Sequence, residues 1–371
     1  MTERSPSEEL WLRVTGSLNR DRYDLSVRAA ASFPPELRLA GTPLLAPPAW
    51  RVPAPVPLES VRLDFRPDTP SPDVPDVAAL APYALPERAD GTRYQRYSDV
   101  VAALAAPTVF ENRPTYRLVE ADLAGAAPRM AFSRGRFFVG IDDSGPAGLE
   151  YAAAECGVTP GHAYRAALGG PACLARRSAT MATSALTLRY DRAAGTATFP
   201  LHYRHPGQVS HAGGLYQVIP VGVFQPSGEA PWNEANDFSL WRGLLREYAE
   251  ELLGADEDHG SEHAPIDYAA WPLAKAMTGA LADGQIRAWC LGLGADPLTF
   301  ALDLLAVVVI DAPLYDELFG ETVDANAEGR VIMPRPFDER SVTELVADAP
   351  LQAAAAALLR LALAHRDAIL T

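Results

Sequence analysis

Cysteine is scarce in this chain. The three present, Cys156, Cys173 and Cys290, stand far apart, which excludes a disulfide framework and a cysteine knuckle for a metal. They read as ordinary reduced thiols of a cytosolic protein. Positive charge is also short: 32 Lys and Arg face 47 Asp and Glu, for a formal net charge of -15 and a pI near 4.9. Binding to a nucleic-acid backbone draws on clustered Lys and Arg, and the sequence has no basic stripe, so direct nucleic-acid binding is not expected. Long apolar runs are missing as well. The longest, near LAVVVI, is bounded by Asp303 and Asp311 and falls far below the roughly 20 residues a membrane-spanning helix needs. The first residues, MTERSPSEELW, lack the apolar core of a signal peptide. A cytoplasmic protein without a membrane partner is the expectation.

Length and proline are plentiful. A chain of 371 residues exceeds what one small core needs, so two regions are expected. Residues 1–178 form an N-terminal α+β region, a candidate substrate or interaction domain, and residues 179–371 a second α+β domain. Proline density over 43–75 (PLLAPPAWRVPAPVPLES, then FRPDTPSPDVPD) excludes long helices there. Trp50, Val56, Leu58, Val61, Leu63 and Phe65 offer apolar groups to bury, so an ordered, strand-containing wrap is preferred to a free linker. Helices are expected from near Ser7 and over 97–106, the latter capped by Ser98 or Asp99 and stopped by Pro107. In the second half, 184–190 and 196–204 read as strands joined by a turn at Ala194-Gly195, and 215–224 reads as a strand apolar on both faces. A helix over 271–282, strands near 286–293, 300–310 and 329–333, and an alanine-rich helix from Pro350 complete the order.

The run DFSLWRGLLREYAEELLG carries the chemistry. Leu240, Leu244, Tyr248 and Leu252 recur every four residues, Asp237 stands at the place of an N-cap, and Gly254 at that of a C-terminal stop. On such a helix Glu247, Glu250 and Glu251 share a face, which brings three carboxylates within reach of one divalent cation. Arg246 precedes Glu250 by four residues and is spaced to pair with it. The plain reading is a solvated acidic helix with one such pair.

Arg246-Glu247-Tyr248-x-Glu250-Glu251 resembles the central part of the Nudix box, G-x5-E-x7-R-E-U-x-E-E-x-G-U with U a bulky apolar residue. Gly228 and Glu234 have the spacing of its first part. Eleven residues separate Glu234 from Arg246 where the family has seven, and Gly254 falls one position late. The stretch GGLYQVIPVGVFQP followed by the acidic helix also resembles Nudix-like regions of actinomycete regulatory proteins. The resemblance implies a Nudix-like α/β/α sandwich with a mixed sheet over 179–371, preceded by the Pro-rich α+β region. It also implies Mg2+ or Mn2+ on Glu247, Glu250 and Glu251, with Glu234 as a further member, and Arg246 orienting them. The implied activity is hydrolysis of a nucleoside diphosphate linked to another moiety, with a nucleotide-like small molecule as substrate and a homodimer left open. The alternatives are a non-hydrolytic ligand-binding or regulatory protein of the same fold, or the scaffold turned to other chemistry in secondary metabolism.

Outside the box, Arg113, Arg117, Arg134 and Arg136 could receive a phosphate or carboxylate, against surface pairing with the many acids. Arg113, Arg117 and Arg136 are carried as substrate-binding candidates. Phe137 and Phe138 could stack a base or pack a core. His202, His205 and His211 form an H-x2-H-x5-H set that suggests zinc only loosely, since strand alternation puts His202 on the polar side. His259 and His263 follow the acidic helix in a loop.

Overall fold

The computed structural model describes residues 4–204, 213–255, 260–320 and 329–371. Its class is α+β. Eleven strands are named in chain order: β1 Val56–Pro57, β2 Arg62–Phe65, β3 Pro114–Asp122, β4 Arg129–Arg136, β5 Met181–Asp191, β6 Thr196–Arg204, β7 Tyr216–Gln217, β8 Val221–Val223, β9 Ile286–Ala295, β10 Leu302–Asp311 and β11 Gly329–Pro336. Eight of them form a mixed sheet in the order β1-β9-β10-β5-β6-β11, with β7 beside β6 and β8 beside β5. The β10–β5 pair is parallel and runs from Leu302↔Met181 to Asp311↔Tyr190. A second, three-stranded sheet has the order β2-β4-β3.

One feature of the large sheet positions the site. The free edge of β5 is divided: its C-terminal end pairs with β6 and its N-terminal end, Ala182 to Ser184, with β8. The β5–β6 turn carries Gly195 at φ 65°, as the Ala194-Gly195 turn requires. The expected continuous strand over 215–224 is two short ones, β7 and β8. Pro220 has no N–H for a ladder and separates them, so β7 joins β6 and β8 joins β5.

Residues Leu302 to Ile310 of β10 are buried at every position, so both faces of the sheet are covered. Helices Leu240–Leu253, Pro272–Ala282, Ala312–Phe319 and Ala353–Ala364 pack on it. The core beneath them includes Leu44, Trp50, Leu58, Tyr116 and Phe132 from the first 178 residues beside Leu186, Val307 and Leu358 from the rest. The Pro-rich stretch is ordered and contributes β1, β2 and two short 3-10 turns. A second core joins helices Pro6–Arg20, Arg22–Ala31, Tyr97–Leu104 and Phe137–Glu155 around Trp11, Tyr97, Leu149 and Phe300. The first of these has a capping box between Ser5 and Glu8. The helix over 97–104 starts from Arg96, not Ser98 or Asp99. Ser98 is buried, and its backbone N–H donates to Asp142 at 2.7 Å.

Among the described residues, no helix is long and apolar enough to cross a membrane.

Candidate functional site

The acidic helix spans Leu240–Leu253. Its apolar stripe is buried as the spacing predicts, with Leu240, Leu244, Tyr248 and Leu252 at most 4% exposed; each such side chain contributes roughly 1.5–3 kcal/mol of burial. Tyr248 stacks on Phe319 and shares a 2.8 Å hydrogen bond with Thr187 Oγ1, which itself donates to Ile219 O. Gly254 ends the helix in the left-handed region at φ 69°. The N-cap is Ser239, whose hydroxyl accepts from Arg242 N, and not Asp237. Asp237 is fully buried, because its carboxylate accepts from Ser227 N at 2.8 Å, Ser227 Oγ at 2.6 Å and Tyr268 Oη at 2.9 Å.

The face opposite the stripe is not a solvated one. Arg246 is 3% exposed and donates to Gln225 O at 2.6 Å and Tyr268 Oη at 2.7 Å, with Asp237 at 3.5 Å. Burial alone would lower the pKa of its guanidinium, but Tyr268 and Asp237 outweigh burial and hold it above its ordinary value. Glu251 is 5% exposed and accepts from Val221 N at 3.1 Å. Glu247, half-buried, lies directly over Gly222: a Cβ there would fall 1.8 Å from its Cδ. Glu250 is half-buried. Two of the three carboxylates therefore rest on consecutive residues of β8, at the divided edge of β5.

Do these residues suit a hard divalent cation? All three are oxygen donors of the required kind, and Gly222 keeps open the space that Glu247 occupies. Among the described residues no three His, Cys, Asp or Glu side chains converge as a formed cation cage; what Glu247, Glu250 and Glu251 offer is the chemistry of their oxygen donors.

Glu234, the further member implied by the resemblance, sits on the short helix Pro231–Asn236 and is held by Arg134 through Nε at 2.6 Å and Nη2 at 2.8 Å. It lines a cavity of about 300 Å3 with Phe65, Thr115, Tyr116, Arg136 and Glu229. The helix carboxylates do not line this cavity. No protein-family model matches the chain, and no curated protein matches it.

The remaining candidates separate. Arg117 is buried and donates to the carbonyls of Thr69 and Pro70, so it fastens the Pro-rich stretch to β3; burial lowers its pKa. Arg113 pairs with Glu111 and Arg136 with Glu229. Phe138 stacks on Phe110 with ring centroids 4.5 Å apart. His202 is fully buried, contrary to its expected polar side, because β7 flanks β6 there and brings Gln217 Nε2 to 3.4 Å from His202 Nδ1. His263 is exposed. His205, His211 and His259 lie outside the described residues. Sequence reasoning missed Gln225, Tyr268 and Gly222 as members of the site; only the glycine in VGVF was a visible signal.

Proposed function

We propose that the chain is a Nudix-type hydrolase that cleaves a nucleoside diphosphate linked to another moiety, with Mg2+ or Mn2+ at the acidic helix. The observation that carries this reading is the buried Arg246, which ties the helix to Gln225, Asp237 and Tyr268 while Glu251 and Glu247 rest on β8. A mixed sheet with an acidic helix packed on it is consistent with the Nudix fold. Glu247, Glu250 and Glu251 would hold the cation. When bound, it neutralises a diphosphate and acidifies a water. The chain's own part is positional. Val221 N–H aims the Glu251 carboxylate, Gly222 leaves room for that of Glu247, and Arg246 fixes the loop before the helix.

A second reading, a ligand-binding regulatory protein of the same fold, is favoured by the separate cavity against 226–234. The two part in one assay. Purified protein with Mg2+ is given ADP-ribose, NAD, dinucleoside polyphosphates and nucleotide sugars, and monophosphate release is followed beside Glu250→Gln and Glu251→Gln. The hydrolase reading expects turnover of at least one compound and its loss, on the order of a hundredfold or more, in either variant. Tight binding of one compound without turnover would instead select the regulatory reading.

A further inference from the structure

The cavity between the small sheet and the 226–234 segment lies apart from the carboxylates of the acidic helix, none of which lines it. Its floor is aromatic: Phe65, half-buried, meets Tyr116 edge-on at 6.0 Å. Pro114, Pro226 and Pro231 add apolar wall. Its rim carries Arg134 and Arg136, which project from one face of β4 two residues apart.

Both arginines are held from across the cavity, and both keep donors in reserve. Glu234 takes Nε and Nη2 of Arg134, and Glu229 with Asn112 O takes Nη1 of Arg136. Among the described residues, Nη1 of Arg134 and both Nε and Nη2 of Arg136 have no partner. The fixed pairs orient the guanidinium groups before any ligand arrives. Thr115 turns its hydroxyl to the other face of the small sheet, beside Gly135 and Arg117, so the two arginines are what the cavity offers a ligand.

Charge decides the class of ligand. Two arginines and two glutamates leave the walls neutral, so a polyanion such as a diphosphate would meet Glu229 and Glu234 as like charges. A single carboxylate brings only one negative charge to the reserved N–H groups and so meets that repulsion least. The volume, near the lower end of small-molecule pockets, suits one or two fused rings. We propose that this cavity is a binding site for a small planar ring bearing one carboxylate, separate from the acidic helix.

Calorimetric or ligand-observed NMR titration with benzoate and indole-3-carboxylate, each beside its neutral amide, tests this. EDTA is present throughout, so the result does not depend on a cation at the acidic helix. At least one acid is expected to bind, and its amide to bind on the order of tenfold more weakly. Arg136→Gln, on a side chain 45% exposed, is expected to weaken the acid by a similar factor with an unchanged melting temperature, and to leave the amide unaffected. Binding of neither acid, equal binding of acid and amide, or full affinity in Arg136→Gln would overturn the proposal.

Discussion

Asp303 lies on β10 in the middle of the large sheet, 4% exposed, and accepts a 2.8 Å hydrogen bond from Ser184 Oγ. Burial pushes its carboxyl up to about 7, and Asp296 adds to this while Ser184 and Arg204 oppose it. The folded chain thus holds a proton that the unfolded chain releases above the ordinary value of 3.8. Native protein binds more protons than unfolded protein between those two values, so this residue's contribution to stability falls as pH rises from about 4 to about 7 and is level beyond. Asp303→Asn keeps an acceptor for Ser184 and removes the titration. Denaturant unfolding at pH 4.5 and pH 8 should show the variant gaining on the wild type by up to a few kcal/mol at the higher pH. An identical pH difference in both proteins would contradict the assignment. Asp237 illustrates what single residues conceal. Its position suits an N-cap, and nothing in its neighbours shows that Ser227, far back in the loop, and Tyr268, beyond the helix, claim its carboxylate.

Between helix Leu240–Leu253 and β8, Gly222 is the contact that matters. Gly222→Ala would place a methyl group where the Glu247 carboxylate rests. Because that carboxylate ends a flexible side chain, the stability loss should stay near 1 kcal/mol, while cation-dependent turnover falls at least tenfold. Unchanged turnover with a displaced Glu247 would remove that carboxylate from the account. Elements with strong periodicity were legible: the buried stripe of the acidic helix, the β5–β6 hairpin and the alanine-rich helix Ala353–Ala364 all follow from spacing and turn residues. Helix Phe137–Glu155 was not. It contains Pro146 and three glycines, residues that disfavour an isolated helix. Tertiary packing overrides them: Gly145 lies against the Tyr97 ring, too close for a Cβ, and Gly148 lies tightly against Thr299. The Arg246 network was legible only in part, since its partners Gln225 and Tyr268 lie on segments whose convergence no local pattern encodes.

Across the whole molecule, the first 178 residues are built into the fold of the rest. Val56–Pro57 pairs with β9, Leu45 bridges to Ala295, and Tyr116, Phe132, Phe224 and Phe238 form one aromatic cluster reaching the start of the acidic helix. Residues 179–371 expressed alone would expose the surface that Leu44, Trp50, Leu58 and Tyr116 cover. Circular dichroism should show that piece melting without the cooperative transition of the full chain. A sharp transition at the same temperature would mean that the second half folds independently. Residues 225–237 connect the two places: Arg246 holds Gln225 and Asp237, and Arg134 holds Glu234, which lines the cavity. Diphosphate hydrolysis at the acidic helix, as proposed, is tested most directly by monophosphate release from the dinucleotide and nucleotide-sugar panel with Mg2+, wild type beside Glu251→Gln. Turnover that EDTA abolishes and that the variant loses is expected; turnover equal in both proteins would exclude the helix carboxylates from the reaction.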